Sequence, residues 1–212
     1  MGIAVNAVLV PPDHLSDARD LLVSRTHEVS GILRQMAEDV KSGAGASDLW
    51  RRRALSVNKS VAAHAAVMEG EASLVGHFRK RGWLRVGGSD LFRPAAEALD
   101  RATLHLMALI LAVEDSDFAE NETLQGAVSD LLEAMAGAFA DAGKGPVHDP
   151  TDDHAITTLP LAHRRLKELE KLSQQGKVTT AAAPSIILSS RGLLAALAVL
   201  DRDEYKTETA HD

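Results

Sequence analysis

PDHLSDARDLLVSRTHEVSGILRQMAEDVKS, residues 12–42, decides the fold. Leu15, Ala18, Leu22, Val29, Ile32, Leu33, Met36 and Val40 recur there at three- and four-residue steps, which is one face of an α-helix. Asp17, Arg19, Asp20, Arg34, Glu38 and Asp39 occupy the other positions. Pro11-Pro12 suits a helix start, because the first turn leaves its N–H groups unpaired and proline has none to lose. Gly43-Ala44-Gly45 stops the helix.

The same pattern repeats outward from this segment. Ser47-Asp48 reads as an N-cap for a second helix reaching about Arg81, with Leu49, Val57, Val61, Val67, Met68, Leu74, Val75 and Phe78 as its apolar set. Gly82 and Gly87-Gly88 break the chain. Ser89-Asp90 then cap a third helix carrying Leu91, Ala95, Leu99, Ala102, Leu106, Leu109, Ile110 and Val113, with Pro94 in its first turn. Asn121 opens a fourth (Leu124, Val128, Leu131, Leu132, Met135, Phe139) that ends at 143–146. A fifth runs from about Asp153 to Gln175 through Ile156, Leu159, Leu166, Leu169 and Leu172, with Pro160 kinking it or delaying its start. The sixth, Pro184 to about Leu200, is the most uniformly apolar and is expected to be the most buried.

Composition agrees with this pattern. Hydrophobic residues make up 45% of 212 and aromatics only 3%, so alanine and leucine, both strong helix formers, carry the core. The fold expected is an all-α, elongated up-and-down bundle of about six helices, because short loops join antiparallel neighbours. At 1.5 Å per residue the first two helices would span roughly 45 and 50 Å, a long N-terminal hairpin. Its Ala/Leu face has little else to cover it, so homo-oligomerisation through the hairpin is expected. The chain divides into an apolar segment 1–11, the bundle 12–200 and a charged tail 201–212.

Several function classes are disfavoured. There is no cysteine, which removes disulfides, thiolate metal sites and thiol nucleophiles. A net charge of −7 disfavours broad nucleic-acid binding. No run of about 20 apolar residues spans a membrane, and residues 1–10 lack the basic start and cleavage site of a signal peptide. His148, Asp149, Asp152, Asp153 and His154 form the densest cluster of potential metal ligands, but at no helical ligand spacing. They read as a solvated loop leading to a helix N-terminus, where acids are favoured anyway. Glu69 or Glu71 facing His105 across two helices would serve a buried hydrogen bond as readily as acid–base work. His64, among alanines, reads as a core or seam residue. Arg51-Arg52-Arg53 could dock an acidic partner but reads more readily as solvated. No catalytic residue, cofactor or metal site is assigned, and the chain is read as a non-enzyme.

One junction carries a resemblance. IAVNAVLVPPDHLSDARDLL, residues 3–22, is an apolar run with Asn6, closed by Pro11-Pro12 and followed by a long helix. It resembles the end of the membrane block in the aromatic acid exporter family, part of the fusaric acid resistance group of bacterial membrane proteins. The later texture is similar: Glu69 and Glu71 followed by Arg79, Lys80 and Arg81, then small residues and leucines along the third helix. The resemblance implies the cytoplasmic helical domain of an exporter of small organic acids, on the inner face of the bacterial membrane, with a structural, assembly or gating role. If Pro11-Pro12 mark the membrane face, the returning second helix brings Arg79, Lys80, Arg81, Trp83 and Arg85 back to the headgroups. Cations and Trp are favoured there; the other reading is that these are ordinary cations complementing a helix C-terminus. The alternative is a free-standing helical-bundle regulator or ligand-binding module, cytoplasmic and similar in architecture to PhoU-type proteins.

Overall fold

The computed structural model describes residues 13–43, 50–57, 89–118, 121–144, 157–178 and 180–200, and all its regular structure is helical. The helices are α1 (Asp13–Ser42), a stretch at 50–57 (α2), α3 (Ser89–Glu114), α4 (Glu122–Ala142), α5 (Leu159–Gln174) and α6 (Ala183–Leu200). The all-α bundle read from the sequence is therefore the fold. Residues 58–88 of the expected hairpin lie outside the described residues.

Local signals fix the helix ends. Gly43 takes φ +69 and its N–H donates to Val40 O at 3.1 Å, a left-handed stop that only glycine adopts without strain. Asn121 Oδ1 accepts from the Leu124 N–H at 2.9 Å and starts α4. Pro160 delays α5, which begins at Leu159 with the proline in its first two positions. At α5 the cap comes from another helix. Asp141 of α4 accepts from Thr157 Oγ1 at 2.7 Å and from the Thr158 N–H at 3.4 Å. One boundary differs from expectation: α3 already includes Ser89, so Pro94 lies inside the helix rather than in its first turn.

Packing does not follow chain order. α1 lies along α4 and α3 along α6, while α4–α5, α5–α6 and α1–α3 contacts close a ring that a narrow α4–α6 contact crosses. α3 and α4, though joined by a short link, are not a packed pair. Ser30 bonds to Ala136 while Ser129 bonds to Ala37, so α1 and α4 run antiparallel. Arg51 pairs with Glu114 beside the C-terminal ends of both α1 and α3, which makes those two parallel.

The core is one cluster of apolar side chains drawn from all six helices. Leu22, Val29, Ile32, Leu33, Met36 and Val40 are buried on α1, as their spacing requires, and every apolar position read for α4 is buried. α6 corrects the expectation of greatest burial. It is long and apolar enough to cross a membrane, but half of it is buried in the bundle and Leu188 is 68% exposed.

Candidate functional site

The junction of α1, α2 and α3 gathers the most varied chemistry among the described residues. Trp50, at 1% exposure, is the largest fully buried side chain among the described residues. Its indole N–H donates to Asp39 Oδ2 at 2.8 Å, and Gln35 Nε2 donates to Asp39 Oδ1 at 3.0 Å. Asp39 thus accepts on both oxygens from two directions, which orients the carboxylate and anchors α2 against α1. The next residue, Arg51, pairs with Glu114 and ties α2 to α3. Arg51, Arg52 and Arg53 are all exposed, as the sequence suggests, and Arg51 in addition pairs with Glu114.

Beside the anchor runs a groove of about 320 Å³ lined by Glu28, Gly31, Ile32, Arg53, Ser56 and Val57. Its floor is apolar, from Ile32 and Val57, and its rim carries one anion, one cation and one hydroxyl. Gly31 keeps the α1 wall low. Such a mixture can orient a small polar molecule but gathers no nucleophile–base pair.

The histidine considered for acid–base work has another neighbour. The His105 ring lies directly over Gly192 of α6, where a Cβ would stand 2.3 Å from ring atoms. Gly192 therefore makes room for an imidazole at the α3–α6 contact. Glu69 and Glu71 lie outside the described residues, as does His64. On the same helix, burial and then the neighbouring Glu97 raise the Asp100 carboxyl above its ordinary value.

Among the described residues no three His, Asp or Glu side chains are placed to hold a metal ion. The loop cluster His148, Asp149, Asp152, Asp153 and His154 lies outside them. So do Asn6, Pro11, Pro12, Arg79, Lys80, Arg81, Trp83 and Arg85, the positions that the resemblance would put near a membrane. Sequence reading missed Trp50 as a core residue. Its signal was the shared helical face of Trp50, Ala54 and Val57, all three buried. Asp39, read as a surface acid, was unrecognisable as its partner, because nothing local marks a carboxylate that a side chain eleven residues away will bind.

Comparison with protein families, characterised proteins and solved structures returns no match.

Proposed function

We propose that this chain is a cytoplasmic helical domain of a membrane transporter-like protein, with an assembly or gating role in the efflux of small organic acids. The observation that carries the reading is the junction at the start of the bundle. An apolar run ends at Pro11-Pro12, and α1 begins at Asp13 and continues for 30 residues. A long helix launched from a proline pair is a suitable lever between a membrane block and a bundle, since α1 packs along α4 and also meets α3. The test uses antibodies raised against the bundle on fractionated cells of the source organism. A membrane-sedimenting species well above 22.6 kDa is expected; a native species of 22.6 kDa confined to the soluble fraction would sink the reading.

The groove between α1 and α2 favours a second reading, a ligand-binding bundle. Its volume of about 320 Å³ falls in the lower part of the range for small-molecule pockets. A small carboxylate that raises the melting temperature of the wild type but not of Arg53→Ala would support it.

A further inference from the structure

The outer faces of α4 and α5 carry opposite charge. On α5, Arg164, Lys167 and Lys171 recur at i, i+3 and i+7 and are all exposed. On α4 the exposed positions are Glu122, Thr123, Gly126, Asp130 and Glu133, with no cation among them. Among the described residues, Glu122, Glu133, Arg164, Lys167 and Lys171 have no hydrogen bond or ion pair within the chain. An unneutralised basic stripe is notable on a chain of net charge −7.

The register between the two helices is fixed. Arg165 meets Asp130 at 3.5 Å, and Thr158 lies beside Gly137, so α5 runs antiparallel to α4 with each step forward matching a step back. Lys171 is then level with Leu124, Lys167 with Val128 and Arg164 with Leu131. The three cations stand at the heights of the three anions Glu122, Asp130 and Glu133.

We infer that this face binds a second copy of the chain across a two-fold axis parallel to the helices. Such an axis preserves height and exchanges sides, laying α5 of one protomer on α4 of its partner. Lys171 then faces the partner's Glu122, Lys167 the partner's Asp130 and Arg164 the partner's Glu133, and each pair occurs twice. A two-fold perpendicular to the helices would lay α4 on α4 and oppose like charges, so complementarity selects one arrangement.

Two further features fit the same axis. Leu161, 42% exposed, shares with Arg165 and Glu168 the edge of α5 that turns toward α4. That edge adjoins the axis, so Leu161 packs on its own copy, and each Glu168 there is already neutralised by Arg165 at 2.9 Å. Gly126, where nothing lies within 4 Å of a Cβ, leaves a shallow floor between Glu122 and Asp130 for the lysine stems. At about 24 Å by 20 Å the footprint is at the small end of specific interfaces, so the dimer should depend on salt and concentration. This surface lies on α4 and α5 alone and does not depend on the transporter reading.

The test is a charge-swap mixing experiment on the full chain, read by light scattering from about 1 µM to 1 mM at low salt. The wild type is expected to rise from 22.6 kDa toward twice that mass, and to fall back at high salt. Glu122→Lys/Glu133→Lys and Arg164→Glu/Lys171→Glu should each stay monomeric, with at least a tenfold weaker Kd and unchanged circular dichroism. Mixed in equal amounts, they should recover the wild-type mass, because both faces of the heterodimer are again complementary. A wild type that stays monomeric overturns the inference, as does a mixture that fails to recover. Variants that dimerise like the wild type would move the contact to another face. A monomeric wild type whose α5 cations are needed for sedimentation with phosphatidylserine vesicles would assign the stripe to lipid instead.

Discussion

The α1–α4 and α3–α6 pairs are the two most extensive helix contacts among the described residues, and they set their approach by different chemistry. Along α1–α4, side chains bond across to the partner's main chain. Ser30 Oγ donates to Ala136 O at 2.8 Å, Ser129 Oγ to Ala37 O at 3.1 Å and Gln125 Nε2 to Val40 O at 2.7 Å. Along α3–α6 the hydroxyls do not cross. Thr103 Oγ1 bonds back to Leu99 O in its own helix, and fully buried Ser190 Oγ has no partner among the described residues. Register there rests on shape, with the His105 ring seated on Gly192. A directional seam tolerates changes of volume better than a shape-matched one, and a shape-matched seam tolerates loss of a hydroxyl better.

The largest expected effect strikes the shape-matched pair. Gly192→Ala places a methyl where the His105 ring stands and should lower stability by about 2–3 kcal/mol, read from the denaturant midpoint at constant m-value. Most of that loss should disappear in a His105→Ala background. If it persists there, steric seating is not what sets the α3–α6 approach.

The directional seam should respond less to any one change. Ser30→Ala and Ser129→Ala should each cost about 1 kcal/mol, and the pair should add, since the two sites lie about 10 Å apart along α1. Full retention of stability in the double variant would show that close packing of small residues alone sustains this seam. Ser190→Ala makes the opposite prediction on α6. Removing a buried, unpartnered hydroxyl should raise stability by about 1 kcal/mol, and a loss of similar size would reveal a hydrogen bond for that group.

The smallest effect is pH-dependent. Asp100 has a raised carboxyl pKa in the folded chain, by burial first and Glu97 second, so its ionisation opposes folding above that value. Asp100→Asn should therefore modestly raise the melting temperature at pH 7. The gain should shrink as pH falls through the raised value and vanish below the ordinary 3.8. A gain that persists at low pH would point to a cause other than charge.

Helix positions were legible wherever the apolar period was unbroken. α4 is the clearest case, with Asn121 marking its start and Leu124 to Phe139 its buried face. α6 was less legible, because an almost wholly apolar helix has no polar stripe to mark its outer side. Nothing in its apolar run therefore marks Leu188 as outward-facing. The anchor at Asp39 and Trp50 stayed hidden for a related reason: burial of Trp50 depends on which helix crosses above it. The α4 and α5 charges were present as single residues, but their opposition appears only when the two helices are laid in register.

By itself the sequence determined that the chain folds as helices, where most of them begin and end, and which residues of α1 and α4 face inward. Those properties follow from spacing, capping and glycine or proline geometry within a few turns. Only the tertiary structure decided that α4 returns to α1 rather than to α3, that Gly192 holds an imidazole, and that opposite charges stand level on α4 and α5. Each depends on contacts between segments tens of residues apart, and local periodicity specifies a helix's apolar face without specifying which helix will cover it.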